Sequence, residues 1–165
     1  MPEVRLRPAT PDDAEAGGAL HRRCWAETYG DLADPAVLGP TLADVDGWTR
    51  RWEAALADGP PYTLAEDADG ALVGFAVAGP ARMDDAPTPQ ELYALYTLRT
   101  QHGTGLGDRL LHAVLPDGDC MLWVSEDNHR ARAFYARHGF APDGGRQLYA
   151  GLGAWELRLV RPRGA

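Results

Sequence analysis

Residues 91–115 read ELYALYTLRTQHGTGLGDRLLHAVL, a segment with the pattern of a strand, a turn and a helix. Residues 91–98 are apolar and aromatic, a composition typical of a strand, and residues 103–107 form a glycine-rich turn. We expect a helix from that turn to about Leu115. Glycines at such a junction let the backbone turn tightly and direct several N–H groups outward, and the helix dipole adds to their effect. The turn is therefore suited to holding phosphate, although glycines here can also be purely structural.

The glycine spacing argues against the two common nucleotide-binding motifs. Residues 103–107 follow the pattern G-x-G-x-G, not the G-x-G-x-x-G of dinucleotide folds, and no Gly-Lys-Ser/Thr follows them. A dinucleotide-binding module would also need an acid about twenty residues after the turn. Glu126 and Asp127 fall near that distance, but they belong to a second motif.

That second motif begins with residues 120–125, CMLWVS, a continuous apolar run typical of a strand buried on both faces. A helix is predicted to follow from Asn128 to about His138. Tyr135 lies seven residues after Asn128, and at ~100° per residue it returns to within ~20° of the same direction. Both side chains are thus expected to face one cleft. Asn128 can alternatively be only a helix cap, and Tyr135 only a buried aromatic.

Together the segments LYTLRTQHGTGLGDRLL and LWVSEDNHRARAFYARHGF resemble the acetyl-coenzyme A motifs of the GNAT N-acetyltransferase superfamily. The resemblance implies that acetyl-CoA is the cosubstrate, with no metal. One departure is His102, which stands where Gln or Arg is usual. The residues that the resemblance assigns to cofactor binding are Leu95, Tyr96, Thr97, His102, Gly103, Thr104, Gly105, Leu106, Gly107, Asp108, Asn128 and Tyr135.

The resemblance also implies a reaction, the direct attack of a primary amine on acetyl-CoA within a ternary complex. It assigns Tyr135 as the general acid that protonates the departing thiolate. Glu91 is a candidate general base, with an ordinary strand-edge acid as the equal alternative. Cys24 and Cys120 lie outside the matched positions, so an acyl-enzyme is not expected. A catalytically idle acyl-CoA-binding module with the same fold is the alternative function.

In this superfamily the acceptor pocket is formed largely by the first two helices and the loop joining them. Tyr29 and Glu27 are therefore candidate substrate-binding residues, for a small amine or a peptide. Trp25 and Tyr29 lie four residues apart, and they can instead form the core-facing stripe of a helix. We expect Trp25 to lie in the core, and both interpretations of Tyr29 stay open.

The rest of the chain completes a single α/β domain over residues 1–165. It has a mixed central β-sheet flanked by about four helices, in the order β-α-α-β-β-β-α-β-α-β-β. The remaining elements are predicted as a strand at 3–7, a helix from Thr10–Pro11 to about Tyr29, a helix over Leu42–Ala57, a hairpin of 62–66 and 71–78, and strands near 146–150 and 154–160.

Composition narrows the class of protein further. The net charge is −8 and the chain contains no lysine, so a nucleic-acid partner is not expected. No apolar run approaches the ~20 residues that would span a bilayer, and the N-terminus lacks a secretory pattern. The two cysteines show no metal-site spacing. We expect a cytoplasmic enzyme, and the sequence leaves monomer and homodimer open.

Overall fold

The structure, a computed structural model, describes residues 3–164. It contains seven strands and five α-helices within that range. The strands are β1 (Arg5–Pro8), β2 (Thr63–Glu66), β3 (Leu72–Pro80), β4 (Gln90–Thr97), β5 (Cys120–Ser125), β6 (Ala141–Tyr149) and β7 (Ala154–Arg161). The helices are α1 (Ala14–Tyr29), α2 (Pro35–Ala43), α3 (Val45–Asp58), α4 (Leu106–Val114) and α5 (His129–Arg137).

All seven strands form one sheet, in the order β1-β2-β3-β4-β5-β7-β6. The pair β4 and β5 is parallel, and the other neighbouring pairs are antiparallel. The predicted α/β class with a mixed central sheet is confirmed. Among residues 3–164, no helix is long and apolar enough to cross a membrane.

The centre of the sheet is split between β4 and β5. Their register covers Gln90 and Glu91, which lie opposite Cys120 and Met121, and the described strands are not paired beyond that point. On its other edge β4 is irregular, because Val77 pairs with Ala94 while Ala78 pairs with Leu92. Tyr93 is therefore the extra residue of a β-bulge, which bends the strand. The bend and the short register together open a cleft.

The helices α1 and α3 pack closely because α1 carries glycines where α3 crosses it. A Cβ on Gly17 would lie 2.2 Å from the ring of Trp52, and a Cβ on Gly18 would lie 2.9 Å from the backbone of Trp48. Both tryptophans are 2% exposed. Any larger residue at Gly17 would force the two helices apart.

The structure differs from the predicted elements in two regions. Residues Pro35–Ala43 form α2, a helix that the sequence analysis did not predict, so five helices flank the sheet where about four were expected. Pro35 lies in the first turn, where its missing N–H is not needed, and the Asp34 side chain accepts a hydrogen bond from the Ala36 N–H at 2.9 Å. The strand predicted near 146–150 begins earlier, at Ala141.

Candidate active site

A cavity of about 560 Å³ lies where β4 and β5 diverge. Its lining comes from β4, β5, the glycine turn before α4, the length of α5 and the end of α1. The two motifs of the sequence analysis therefore meet at one site. This is a consequence of the split sheet, because parallel strands that separate leave room between their carboxyl ends.

The glycine turn forms one wall of the cavity. Gly103 and Gly105 have φ values of +78° and +83°, a left-handed backbone that glycine adopts without strain. A Cβ on either residue would meet open space, so it is backbone conformation that favours glycine here. Gly107 and Asp108 also line the cavity, and the Asp108 carboxylate is 2.7 Å from His138 Nε2.

The structure separates Thr104 and Leu106 from the other predicted turn residues. The Thr104 hydroxyl donates to the Gln101 carbonyl at 2.8 Å, and Leu106 is 2% exposed in the core. Neither residue lines the cavity, whereas His102 does. Burial lowers the pKa of His102, with the charge of Arg130 acting in the same direction.

The wall contributed by β4 contains Leu95, Tyr96 and Thr97. The Tyr96 hydroxyl is 2.8 Å from the hydroxyl of Tyr29, which also lines the cavity. Burial raises the pKa of Tyr29 to about 12 and that of Tyr96 well above its ordinary value. Both phenols are therefore neutral near pH 7. Trp25 lies beside them in the core, as expected.

The third wall is α5. Asn128 caps this helix, since its side chain accepts a hydrogen bond from the Ala131 N–H at 3.1 Å, and it also lines the cavity. Tyr135 lines the cavity two turns later and is 8% exposed, with Phe134 and Phe140 packed edge-on against its ring. Burial raises the pKa of Tyr135, and the nearby Arg130 opposes that rise. Tyr135 therefore keeps its proton at neutral pH.

The predicted residues Glu91 and Glu27 lie outside the cavity lining. Glu91 is 2% exposed, and its oxygens accept hydrogen bonds from the Arg82 guanidinium at 2.6 and 3.3 Å and from the Arg82 N–H at 3.0 Å. Glu27 accepts from the Arg99 N–H at 2.7 Å and from Arg23 at 3.1 Å. Both carboxylates are thus occupied by arginines. Their roles as base and acceptor ligand stay predictions.

Arg130 is a cavity residue that the sequence reasoning missed. It lies in the first turn of α5 on the cavity rim, and it forms no ion pair with another residue of the range 3–164. Arginine is unfavourable at a helix N-terminus, where the dipole favours anions. This unusual position of Arg130 is the feature of the sequence that could have drawn attention to it.

Comparison with known proteins agrees with this geometry. The model of the family described as "Acetyltransferase (GNAT) family" matches residues 20–140. The chain belongs to the GNAT acetyltransferase family. A probable N-acetyltransferase of Mycobacterium tuberculosis is 30% identical over 150 residues, which are 86% of this chain and 82% of that protein. As a member of the GNAT family, the chain is an acetyl-CoA-dependent acyltransferase.

Solved structures of other GNAT proteins show the same fold. The PaiA N-acetyltransferase of Thermoplasma acidophilum, in complex with coenzyme A, has a TM-score of 0.65 at 17% identity over 97% of this chain and 99% of that one. A GCN5-related N-acetyltransferase of Rhodopseudomonas palustris has a TM-score of 0.73 at 20% identity, over 98% and 97%. Within residues 3–164, no cluster of His, Cys, Asp and Glu is placed to hold a metal ion.

Proposed function

We propose that this protein transfers the acetyl group of acetyl-CoA to a primary amine by direct attack, with Tyr135 as the general acid. The observation that carries the proposal is the position of Tyr135. Its proton-bearing side chain lines the cavity opened between β4 and β5, together with the glycine turn. A phenol can protonate a departing thiolate when its hydroxyl reaches the sulfur.

The glycine turn and Arg130 are the proposed diphosphate site. Gly103, Gly105 and Gly107 line the cavity next to the N-terminus of α4, where backbone N–H groups and the helix dipole favour anions. Arg130 adds a cation on the rim. The backbone of Leu95–Thr97 is the proposed seat of the pantetheine arm, because those residues line the cavity and have no β5 partner.

The burial of both cysteines supports direct attack of the amine on acetyl-CoA. Cys24 and Cys120 are both 0% exposed, and burial raises the pKa of these thiols to about 12 and about 11. The reactive form of a cysteine is the thiolate, which such sites disfavour strongly. Neither residue lines the cavity. A covalent acyl-cysteine step therefore has no supporting feature among the described residues.

Thiol release from acetyl-CoA distinguishes the proposed N-acetyltransferase from the alternative, an idle acyl-CoA-binding module. The protein is incubated with alkyl amines, aromatic amines and peptides, and free coenzyme A is followed with a thiol reagent. We expect amine-dependent release together with an acetylated product detected by mass spectrometry. If acetyl-CoA binds in calorimetry but no amine in the panel is acetylated, the idle-module alternative is favoured.

A further inference from the structure

Glu156 is a carboxylate of the split sheet on which Arg82 acts electrostatically without forming an ion pair. It lies on β7, directly opposite Ser125 of β5 and Gln147 of β6. Its oxygen accepts a hydrogen bond from the Gln147 side chain at 3.1 Å, and within residues 3–164 it forms no ion pair. Partly buried charges are normally paired. Glu91, by contrast, is held by Arg82 at 2.6 Å.

The hydroxyl of Ser125 gives a second, independent indication of a ligand. Ser125 is 4% exposed, and its Oγ has no hydrogen-bond partner among the described residues. Leaving a buried hydroxyl unpaired is unfavourable, so each such group calls for an explanation. Residues directly opposite in a ladder share one face with their Cβ atoms ~4.5–5.5 Å apart. The Ser125 hydroxyl and the Glu156 carboxylate therefore belong to one small polar site.

This polar site adjoins the proposed cofactor cavity. Ser125 and Glu156 lie just outside the cavity lining, which on β5 consists of Leu122, Trp123 and Val124. Ser125 directly follows Val124, and it shares a face of the strand with Trp123, because side chains two residues apart point the same way. Burial is the main cause of the raised pKa of Tyr29, another lining residue, and the negative charge of Glu156 acts in the same direction. The charged and titratable groups that interact with Glu156 are Arg82, Glu91, Tyr149 and Tyr29.

We infer that Glu156 binds the ammonium group of the acceptor and removes its proton before attack, with Ser125 as a second contact. This inference rests on the proposed function and assigns the residue that takes the proton of the acceptor amine. Burial raises the pKa of Glu156, which suits a group that must take up a proton. Alkyl amines have pKa values near ~10.4, so they arrive protonated and need such a base.

The proposed reaction conserves atoms and charge. The ammonium nitrogen gives one proton to Glu156, and its freed electron pair forms the new C–N bond while the C–S bond breaks. Tyr135 donates its proton to the departing sulfur. The second proton of the attacking nitrogen replaces the one that Tyr135 gave, and the proton on Glu156 leaves to solvent. The products are the amide, free coenzyme A and one proton.

The test compares Glu156→Gln, Ser125→Ala and Glu91→Gln, with Glu53→Gln as the control, since Glu53 is exposed on α3. With an alkyl amine at pH 7, we expect Glu156→Gln to lower kcat/KM roughly 10²-fold or more. The deficit shrinks with an aromatic amine, which is neutral at pH 7, and it shrinks toward high pH. Glu53→Gln matches wild type. Affinity for acetyl-CoA stays unchanged in all variants, and Ser125→Ala raises the KM for the amine.

Binding is measured as well, so that the inference can be judged without turnover. Calorimetry follows n-butylammonium, spermidine and phenethylammonium added to the complex with coenzyme A. If an ammonium probe binds wild type but not Glu156→Gln, the inference is supported even when no acetylation is seen. Equal affinity in the two proteins, no binding of any ammonium probe, or a kcat/KM deficit in Glu91→Gln but not in Glu156→Gln would overturn it. Absence of turnover with normal ammonium binding counts against the proposed function alone.

Discussion

The hydroxyl groups of Tyr29 and Tyr96 lie 2.8 Å apart and join the end of α1 to β4 beside the cavity. Tyr29→Phe removes the hydroxyl partner of Tyr96, and Tyr96→Phe does the reverse. We expect each variant to lower the free energy of unfolding by about 1–3 kcal/mol, because one hydroxyl loses its partner. The double variant is expected to lose less than the sum, since no unmatched hydroxyl remains. Denaturant unfolding of the four proteins measures the coupling, and strict additivity would show that the pair contributes nothing.

Gly105 and Gly70 offer a matched pair of substitutions to valine. Both have left-handed backbones, with φ values of +83° and +84°, and a Cβ on either would meet open space. The backbone strain in the two variants is therefore similar, but Gly70 lies in the β2–β3 hairpin away from the cavity. We expect Gly105→Val to reduce affinity for acetyl-CoA at least tenfold while Gly70→Val leaves it unchanged. Equal affinities in calorimetry would remove the turn from the site.

Tyr135→Phe keeps the ring and its edge-on contacts with Phe134 and Phe140. The fold and the affinity for acetyl-CoA should therefore change little. As the general acid, Tyr135 acts mainly in the transition state, so we expect kcat to fall roughly 10²–10⁴-fold. Single-turnover kinetics avoid masking by slow product release. A wild-type rate in that measurement would mean that another group or water protonates the thiolate.

Arg130→Gln tests whether the rim cation binds an anionic ligand. Arg132 is the control, because it lies two residues later and its guanidinium donates to the Glu126 carbonyl at 2.8 Å outside the cavity lining. We expect Arg130→Gln to weaken coenzyme A binding about 5- to 50-fold and to reduce the salt dependence of that binding. Dephospho-coenzyme A measured in parallel tells the 3′-phosphate from the diphosphate. An unchanged affinity would restrict Arg130 to a structural role.

His21 makes stability depend on pH. It contacts five aromatic rings, and burial, aided by the charge of Arg51, lowers its pKa to about 3. Because the unfolded chain binds a proton on this residue below about 6.5 and the folded chain does not, stability falls as the pH decreases. The loss attributable to His21 is up to about 2 kcal/mol between pH 7 and pH 5.

The matched variant is His21→Gln, which keeps an acceptor for the Trp52 N–H that now donates to His21 Nδ1 at 3.2 Å. We expect this variant to be less stable than wild type at pH 7 and to close most of that gap by pH 5. His112→Gln, which replaces an exposed histidine, is the control variant. Parallel pH dependences of wild type and His21→Gln would show that the folded protein protonates His21 freely.

The parts of the fold that depend on local patterns were predictable from the sequence. The strand, turn and helix at 91–115 follow from apolar runs punctuated by glycines, and Asn128 and Tyr135 both line the cavity as their spacing on α5 predicted. The helix α2 was not predictable by the same reasoning. A proline is commonly taken to end a helix, whereas Pro35 lies in the first turn of α2 and Asp34 caps that turn.

The environments of the acidic residues could not be predicted, because they depend on contacts between distant segments. The approach of Arg82 to Glu91 follows from the β3–β4 hairpin, and only the pairing of β5 with β7 brings Ser125 opposite Glu156. A β-bulge at Tyr93 leaves little trace in the residue pattern, although it contributes to opening the whole cleft. The sequence therefore indicated which side chains could act chemically, but it did not indicate their hydrogen-bond and ion-pair partners.

The separation of β4 from β5 leaves backbone hydrogen-bonding groups unpaired in the middle of the sheet. Beyond Glu91, the described residues of β4 have no β5 partner, so one edge of this central strand offers donors and acceptors to whatever enters the cleft. A ligand that forms hydrogen bonds with those groups takes the place of the missing strand partner. A ligand that binds these backbone groups binds only the folded protein, so its binding also raises the free energy of unfolding.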